Sequence, residues 1–516
     1  MRASRRHVVQ AGLATGAVAL TGCDGLVTEL GRHLGEDVPP QLLAATGETI
    51  DPDFHLLSRA TYGPRPGDLA RLRRQGQTAW LEDQLHPERI DDTACDIRAE
   101  RFESLAFAPG DAYAFPRSVL REELVRHTLL RAIYSRRQLF ELLVGFWSDH
   151  LNIDLGKGDC VFLKPTDDRT VIRQHALGRF ADLIKASATS PAMLVYLDNA
   201  ANKVRPGRDD RPNENYAREL LELHTLGVDG GYTQRDVTEA ARCLSGWTFD
   251  AGRVFATNQN RAFFRTDWHD DGEKLVLGQR IPAGGGPHDL DQLVEIACSH
   301  PSTARHIARK LCHRFVSPTP SPALVESTAK VFTQHDGQIR PVLRHIFGTA
   351  EFADSQGLLL KRPLRFVVSA LRAVAANTHA RPPLLDTLRR LGQPLFEHPS
   401  PDGYSDDEAA WLGTLLWRWN LAITLAAGRL PTVTMPLEQI DASLAATAAS
   451  HSSPPKHAAA AADIDDGFIR WFAHLIGRRP TGDEQRSFSP LLPAASRHEH
   501  TMLLGMILAS PAFQRH

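Results

Sequence analysis

Residues 118–147 read SVLREELVRHTLLRAIYSRRQLFELLVGFW. Apolar side chains recur there at intervals of three and four, the period of one buried face of an α-helix. The same period runs through most of the chain from about residue 52, so the fold it predicts is mainly α, a multi-helix domain. One stretch breaks the pattern. In TFDAGRVFATNQNRAFFRTDWHDDGEKLVLGQRIP, residues 248–282, the short runs VFA, AFF and KLVLG alternate with polar turns. They predict a small β-meander inserted among the helices. An Ala/Ser/Pro-rich stretch at 435–467 reads as a linker. It would separate a main helical domain, 48–434, from a C-terminal helical hairpin, 468–516, packed on it.

Two segments echo each other. HIARKLCHRFVSPTPSPALVESTAKVF leads to VLRHIFGTAEF, and FIRWFAHLIGRRPTGDEQRSF leads to LLGMILASPAF. Each reads as a helix, a Pro-Thr turn, a second helix, and a third that closes on a small-residue turn and a phenylalanine. LLSRATYGPRPGDLARL, residues 56–72, resembles their first half. Phe352 and Phe513 are read as core anchors. The units are too few for a solenoid.

The chain has 516 residues, enough for one large domain or two ordinary ones. Lys+Arg and Asp+Glu nearly cancel, 59 against 61. No basic stripe interleaved with aromatics stands out, which argues against a nucleic-acid partner.

The first residues carry an address. Ser4-Arg5-Arg6-His7-Val8-Val9 precedes a mildly apolar run, GLATGAVAL, and then Leu20-Thr21-Gly22-Cys23. A basic start, a short apolar run and small residues before a cut predict an export signal over 1–23. The paired arginines resemble a twin-arginine signal, although Val8 stands where Phe or Leu is usual. LTGC resembles a lipobox, which makes Cys23 the expected lipidation site and the membrane a partner through that lipid. The apolar run is too short to span a bilayer. Asp24 resembles the residue that keeps such lipoproteins on the inner membrane, so the expected location is its periplasmic side. Removing Arg2, Arg5 and Arg6 would take the net charge from −2 to −5. Residues 24–47 read as a linker from the membrane. The other five cysteines lack CxxC or CxxxC spacing, so neither a disulfide framework nor a zinc ribbon is expected. Export of a folded protein is compatible with a cofactor acquired beforehand.

NENYARELLELHTLG, residues 213–227, is the most chemically loaded stretch. On a regular helix Glu214, Arg218, Glu222 and Thr225 share one side, with Asn215 and Glu219 adjoining. Tyr216 and His224 fall on the opposite, apolar side, so Glu219 and His224 cannot chelate one ion together. Two readings remain. Glu214–Arg218–Glu222 is an ion-pair ladder with His224 as a core histidine. Alternatively, Asn215, Glu219 and Glu222 face a polar cavity that a histidine from another helix completes. Asn213 is placed to cap this helix and Gly227 to end it, with Thr233 and Asp236 starting the next. Arg173, His175, Asp198 and Asn199 lie between, and GFWSDHLNI ends an apolar helix in Asp149, His150 and Asn152. AGGGPHDLDQL, 283–293, lacks the Lys-Ser/Thr of a P-loop and reads as a turn with Asp289 as helix cap. Serine-hydrolase elbow, zincin and haem-attachment motifs do not occur.

FWSDHLNI, MLVYLDNAANK, NENYARELLELHTLGVDGGYTQRDVTEAARCLSGWTF, HDDGEKLVLG, HPSTARHIARKLCHRFVS and ILASPAFQ together resemble a bacterial family catalogued as domain of unknown function 1800, over roughly residues 52–516. The resemblance implies a helical, exported protein, often encoded beside a second exported family similar to sulfatases. Its characteristic polar positions fall on His150, Asn213, Glu214, Asn215, Tyr216, Arg218, Glu219, Glu222, His224 and His269. Asp149 stands where the family commonly has Asn.

The functional expectation is therefore a lipid-anchored periplasmic enzyme with a divalent metal or other cofactor. Hydrolysis is placed ahead of redox chemistry, because a bound ion lowers the pKa of water. Glu219, Glu222, His150 and His269 are the expected metal ligands. Arg173 or Arg218 would neutralise an anionic substrate, with Asn215 and Tyr216 beside them. The competing expectation is a non-catalytic envelope scaffold working with the sulfatase-like neighbour.

Overall fold

The computed structural model describes residues 24–205, 207–250, 261–451, 466–491 and 497–516. Among these residues the fold is mainly α, with three small two-stranded antiparallel sheets. The export signal and Cys23 lie outside the described residues.

The stretch 118–147 forms two helices, Arg117–Tyr134 and Gln138–His150. A buried polar knot breaks them. Asp92 accepts the Ser135 hydroxyl at 2.7 Å and the Arg136 N–H at 2.6 Å. Gln138 donates to the carbonyls of Ala132 and Ser135, at 3.0 and 2.8 Å, and accepts the Tyr62 N–H at 2.9 Å. These bonds satisfy the groups freed at the break, and periodicity alone gives no sign of them.

Burial of guanidinium groups recurs through the core. Arg365 donates to the carbonyls of Ser58, Arg59 and Thr61 at the end of helix Pro52–Ala60. Arg59 does the same for Phe315 and Val316 at the end of Pro301–Phe315. Arg372 donates to the Ile133 carbonyl at 2.6 Å, near the end of Arg117–Tyr134. The last carbonyls of a helix lack partners and carry the negative end of its dipole, so a cation with several fixed donors suits them. Burial lowers the pKa of Arg59 and Arg372 to about 9.

The echoed segments form the predicted helices. Pro301–Phe315, Pro322–Gln334 and Ile339–Phe347 are followed by a short turn at Ala350–Ala353. Asp466–Ile476, Gly482–Phe488 and Arg497–Ala509 are followed by one at Pro511–Gln514. Thr349 and Ser510 cap the short turns through the N–H groups of Phe352 and Phe513, both buried.

The insertion near 248–282 differs in detail from a meander. Trp247–Phe249 pairs with Ala262–Phe264, and Lys274–Val276 pairs separately with Gln279–Ile281. Leu277 and Gly278 both take positive φ, 50° and 76°, which closes the second pair as a tight hairpin. The run VFA lies outside the described residues.

Both linker readings meet ordered structure. Within 24–47, helix Asp24–Gly31 leads into a wide turn, Arg32–Glu36, and Glu36 forms a buried ion pair with Arg98 at 2.6 Å. Within 435–467, Leu437–His451 is helical. Ile440 and Leu444, one turn apart, are buried, and the Trp471 indole donates to Asp441 at 3.1 Å. Low sequence complexity hid the contacts that dock this helix, among them the Leu42 N–H on the Ser443 carbonyl at 3.2 Å.

Candidate functional site

The helix of NENYARELLELHTLG is not regular. It is α over Asn215–Glu219 and π over Leu220–Thr225. Leu226 N–H reaches back five residues to Leu221 O at 2.9 Å, and the Thr225 hydroxyl donates to Leu220 O at 2.6 Å. The extra residue in the turn rotates the residues beyond it, so Thr225 is buried and not on the polar side that a 100° wheel assigns. Gly227, at φ 88°, ends the element, and a Cβ there would sit 2.8 Å from His306 Nδ1. Asn213 Oδ1 accepts the Asn215 N–H at 3.0 Å, a capping role two residues on. Thr233 and Asp236 form the expected capping box.

Two histidines close the end of this element. His150 Nε2 meets the His224 carbonyl at 3.0 Å, and His306 Nε2 meets the Leu223 carbonyl at 3.2 Å. A carbonyl only accepts, so both Nε2 atoms carry the proton. That leaves His150 Nδ1 as an acceptor, and Lys310 Nζ donates to it at 3.0 Å. Burial and the Lys310 charge hold the His150 pKa well below the ordinary histidine value. Burial also brings His306 down to about 4 and His224 to about 3. His224 is fully buried with no hydrogen-bond partner on either ring nitrogen among the described residues.

Lys310 and His150 form one wall of a cavity of about 240 Å³ that Asp149, Arg362, Asp402 and Asp406 also line. Arg362 bridges Asp149 at 2.7 Å and Asp406 at 2.9 Å. The loop 398–406 closes the other side. Gly403 (φ 75°) lets it lie on Asp149, whose carbonyl oxygen would be 2.2 Å from any Cβ. Burial lowers the Lys310 pKa, opposed by the charges of Asp406, Asp149 and Asp402. Asp406 is held below the usual carboxylate value by Arg362, Arg314, Lys310 and His313, against the opposing effect of its own burial.

The residues expected as metal ligands do not share a centre. Both nitrogens of His150 have the partners just named. His269 lies at the far end of a separate buried network, its Nε2 3.1 Å from Asp289 and its Nδ1 2.9 Å from the Ser245 carbonyl. Lys274 completes that network at 2.5 Å from Asp289. Asp289 is therefore an ion-pair partner inside helix His288–Ser299 and not its cap. Glu222 accepts the Tyr232 hydroxyl at 2.8 Å and leaves the ladder, in which only Glu214–Arg218 is formed, at 3.3 Å. Burial, with Glu222 and Asp402 nearby, raises the Glu219 pKa. Among the described residues, no three His, Cys, Asp or Glu side chains are grouped to hold one ion.

The other expected site residues are also occupied. Arg173 is paired with Glu141 at 3.0 Å and Asp168 at 2.8 Å, which leaves no charge over for a substrate. Arg218 donates to Gln234 at 2.9 Å besides its Glu214 pair. Asn215 donates to the Leu197 carbonyl and to Asp198, each at 3.2 Å. Tyr216 is buried beside His224, ring centroids 6.2 Å apart. Of the expected set only His150 lines the cavity. Lys310, Arg362, Asp402 and Asp406 were missed. Their signal was present: His306 and Lys310 stand one turn apart on helix Pro301–Phe315, and PDGYSD is a charged tight turn.

A family model described as "Protein of unknown function (DUF1800)" matches residues 55–515. The chain belongs to that family. No curated protein and no solved structure matches it significantly. In this family member the carbonyls of Leu223 and His224, at the end of the NENYARELLELHTLG element, thus orient the two histidines, of which His150 lines the cavity.

Proposed function

We propose that this chain is an exported, lipid-anchored enzyme that works by acid–base chemistry in the cavity over His150 and Lys310. The observation that carries the reading is the half-buried Lys310 amine held by a neutral imidazole at 3.0 Å inside a polar cavity. A lysine whose charged form is disfavoured by burial has a larger neutral fraction near pH 7–8 and can take a proton. The Lys310 ammonium formed in that step returns the proton to the leaving group, and the carboxylates of Asp149 and Asp406 stabilise it. Hydrolysis is the simplest reaction for such a set, with Lys310 activating water. The polar lining selects a small polar substrate. The signal at 1–23 and the lipobox at Cys23 support export and anchoring.

The test joins labelling to catalysis. At pH 8 an amine-selective reagent, followed by peptide mass spectrometry, should modify Lys310 ahead of the exposed lysines. A panel of chromogenic esters, phosphates, sulfates and glycosides should yield an activity that falls about 100-fold or more in Lys310→Met with unchanged circular dichroism. Slow labelling of Lys310, or an activity indifferent to Lys310→Met, sinks the reading.

A further inference from the structure

Helix Leu415–Ala426, LLWRWNLAITLA, turns an apolar stripe outward. Leu416, Trp419 and Ile423 are 63%, 47% and 57% exposed, and Leu412 continues the line one turn earlier. At 100° per residue these side chains fall within about 60° of one another, so they form one ridge. The opposite side of the helix, Leu421, Ala422 and Leu425, is buried in the core. Trp417 flanks the ridge with Arg390 over its ring at 5.0 Å. Arg390 and Arg429 are exposed beside it, while Arg389 is paired with Glu397 at 2.7 Å. A soluble face does not need three large apolar residues in register, and a Trp-containing ridge with a basic rim is the composition of a surface lying in a bilayer interface.

The chain trace links the ridge helix to the first described helix. Helix Asp24–Gly31 begins at the residue after Cys23. Its Thr28, with Arg32, lines one cavity together with Thr434, Met435 and Pro436, the segment that follows the ridge helix. Val433–Thr434 also pairs with Asn377–Thr378, which leads into the helix carrying Arg390.

We infer that this ridge is a second membrane contact, its Leu416, Trp419 and Ile423 inserted among the acyl chains of an anionic phospholipid surface. The inference rests on the membrane location proposed above. A single acyl chain binds a membrane only marginally, so a second contact holds the domain down and fixes its orientation. Arg390 and Arg429 meet the headgroups, a charge attraction that salt weakens.

The whole chain, isolated from membranes, is added to phosphatidylethanolamine–phosphatidylglycerol vesicles with brominated acyl chains, and its intact mass reports whether Cys23 carries lipid. Brominated lipid should quench the wild type more than Trp419→Phe. Leu416→Ser/Ile423→Ser should abolish that difference without altering circular dichroism. Equal quenching in wild type and Trp419→Phe on vesicle-bound protein overturns the inference and leaves the anchor standing. So does a dimer in sedimentation that Ile423→Ser dissociates, with no quenching: the ridge would then bind a second copy. Unmodified Cys23 with Trp419 still quenched removes the anchor and keeps the ridge.

Discussion

Lys310 sits between two opposing effects. Burial favours its neutral amine, while the carboxylates of Asp406, Asp149 and Asp402 favour its ammonium form. Asp402 is exposed, so its replacement tests the balance without disturbing the core. In Asp402→Asn the pH midpoint for Lys310 labelling should move down, and Glu219, whose pKa Asp402 raises, should ionise at lower pH. Unmoved midpoints would place Asp402 too far away to matter. The two arginines expected to meet a substrate divide sharply. Arg218 is half-exposed with an i,i+4 partner, so Arg218→Ala should cost under about 1 kcal/mol in chemical denaturation. Arg173 is enclosed by two carboxylates, and Arg173→Met should cost about 3–5 kcal/mol because it strands buried negative charge.

At the scale of the element, the π turn at Leu220–Thr225 and Gly227 act as one device. The turn exposes the Leu223 and His224 carbonyls to histidines from two other helices, and Gly227 makes room for one of them. Gly227→Ala meets both a left-handed backbone and His306, so it should lose about 2 kcal/mol or more. It should also speed labelling or solvent exchange at His306. A Gly227→Ala protein as stable as wild type would mean that this end of the helix moves freely. The Lys274–Asp289–His269 network ties the hairpin to helix His288–Ser299. Lys274→Met, which leaves Asp289 buried beside only His269, should destabilise by several kcal/mol without changing Lys310 labelling.

For the whole molecule, acid is the sensitive direction. His55 and His306 are held near 4 and His224 near 3, against an ordinary value near 6.5, chiefly by burial. Between those values the unfolded chain binds the protons that the folded one refuses. The stability these histidines allow is therefore complete above about pH 6.5 and is lost as pH falls towards 4. Asp92, raised to about 6 by burial, and Glu219 work the other way over part of that range, but the depressed histidines, His150 among them, outweigh them. The thermal midpoint should fall steadily from pH 7 to 4.5, and His224→Leu should flatten the slope. An identical slope in that variant would show His224 already solvated. Cellular location belongs to this scale too. Cys23→Ser should leave the protein uncleaved or free of lipid by intact mass, and persistence of the same modified mass would refute the lipobox reading.

The sequence by itself determined the mainly α class, the echoed helical segments with their phenylalanine anchors, the insertion near 248–282 and the family. All of these rest on local periodicity, caps and ordered motifs, which a chain carries without its partners. It also directed attention to His150 and the 213–227 element. The ligand set of Glu219, Glu222, His150 and His269 was a conjecture about long-range convergence, and only tertiary structure could decide it. A one-residue π insertion changed which side chains point inward. Lys310 and the loop at 398–406 reached His150 across 160 and about 250 residues of chain. Arg59, Arg365 and Arg372 look like surface residues in a sequence, because nothing local reveals the helix ends that bury them. Pairings between distant segments depend on where the helices stop and cross, and those are properties of the packed core.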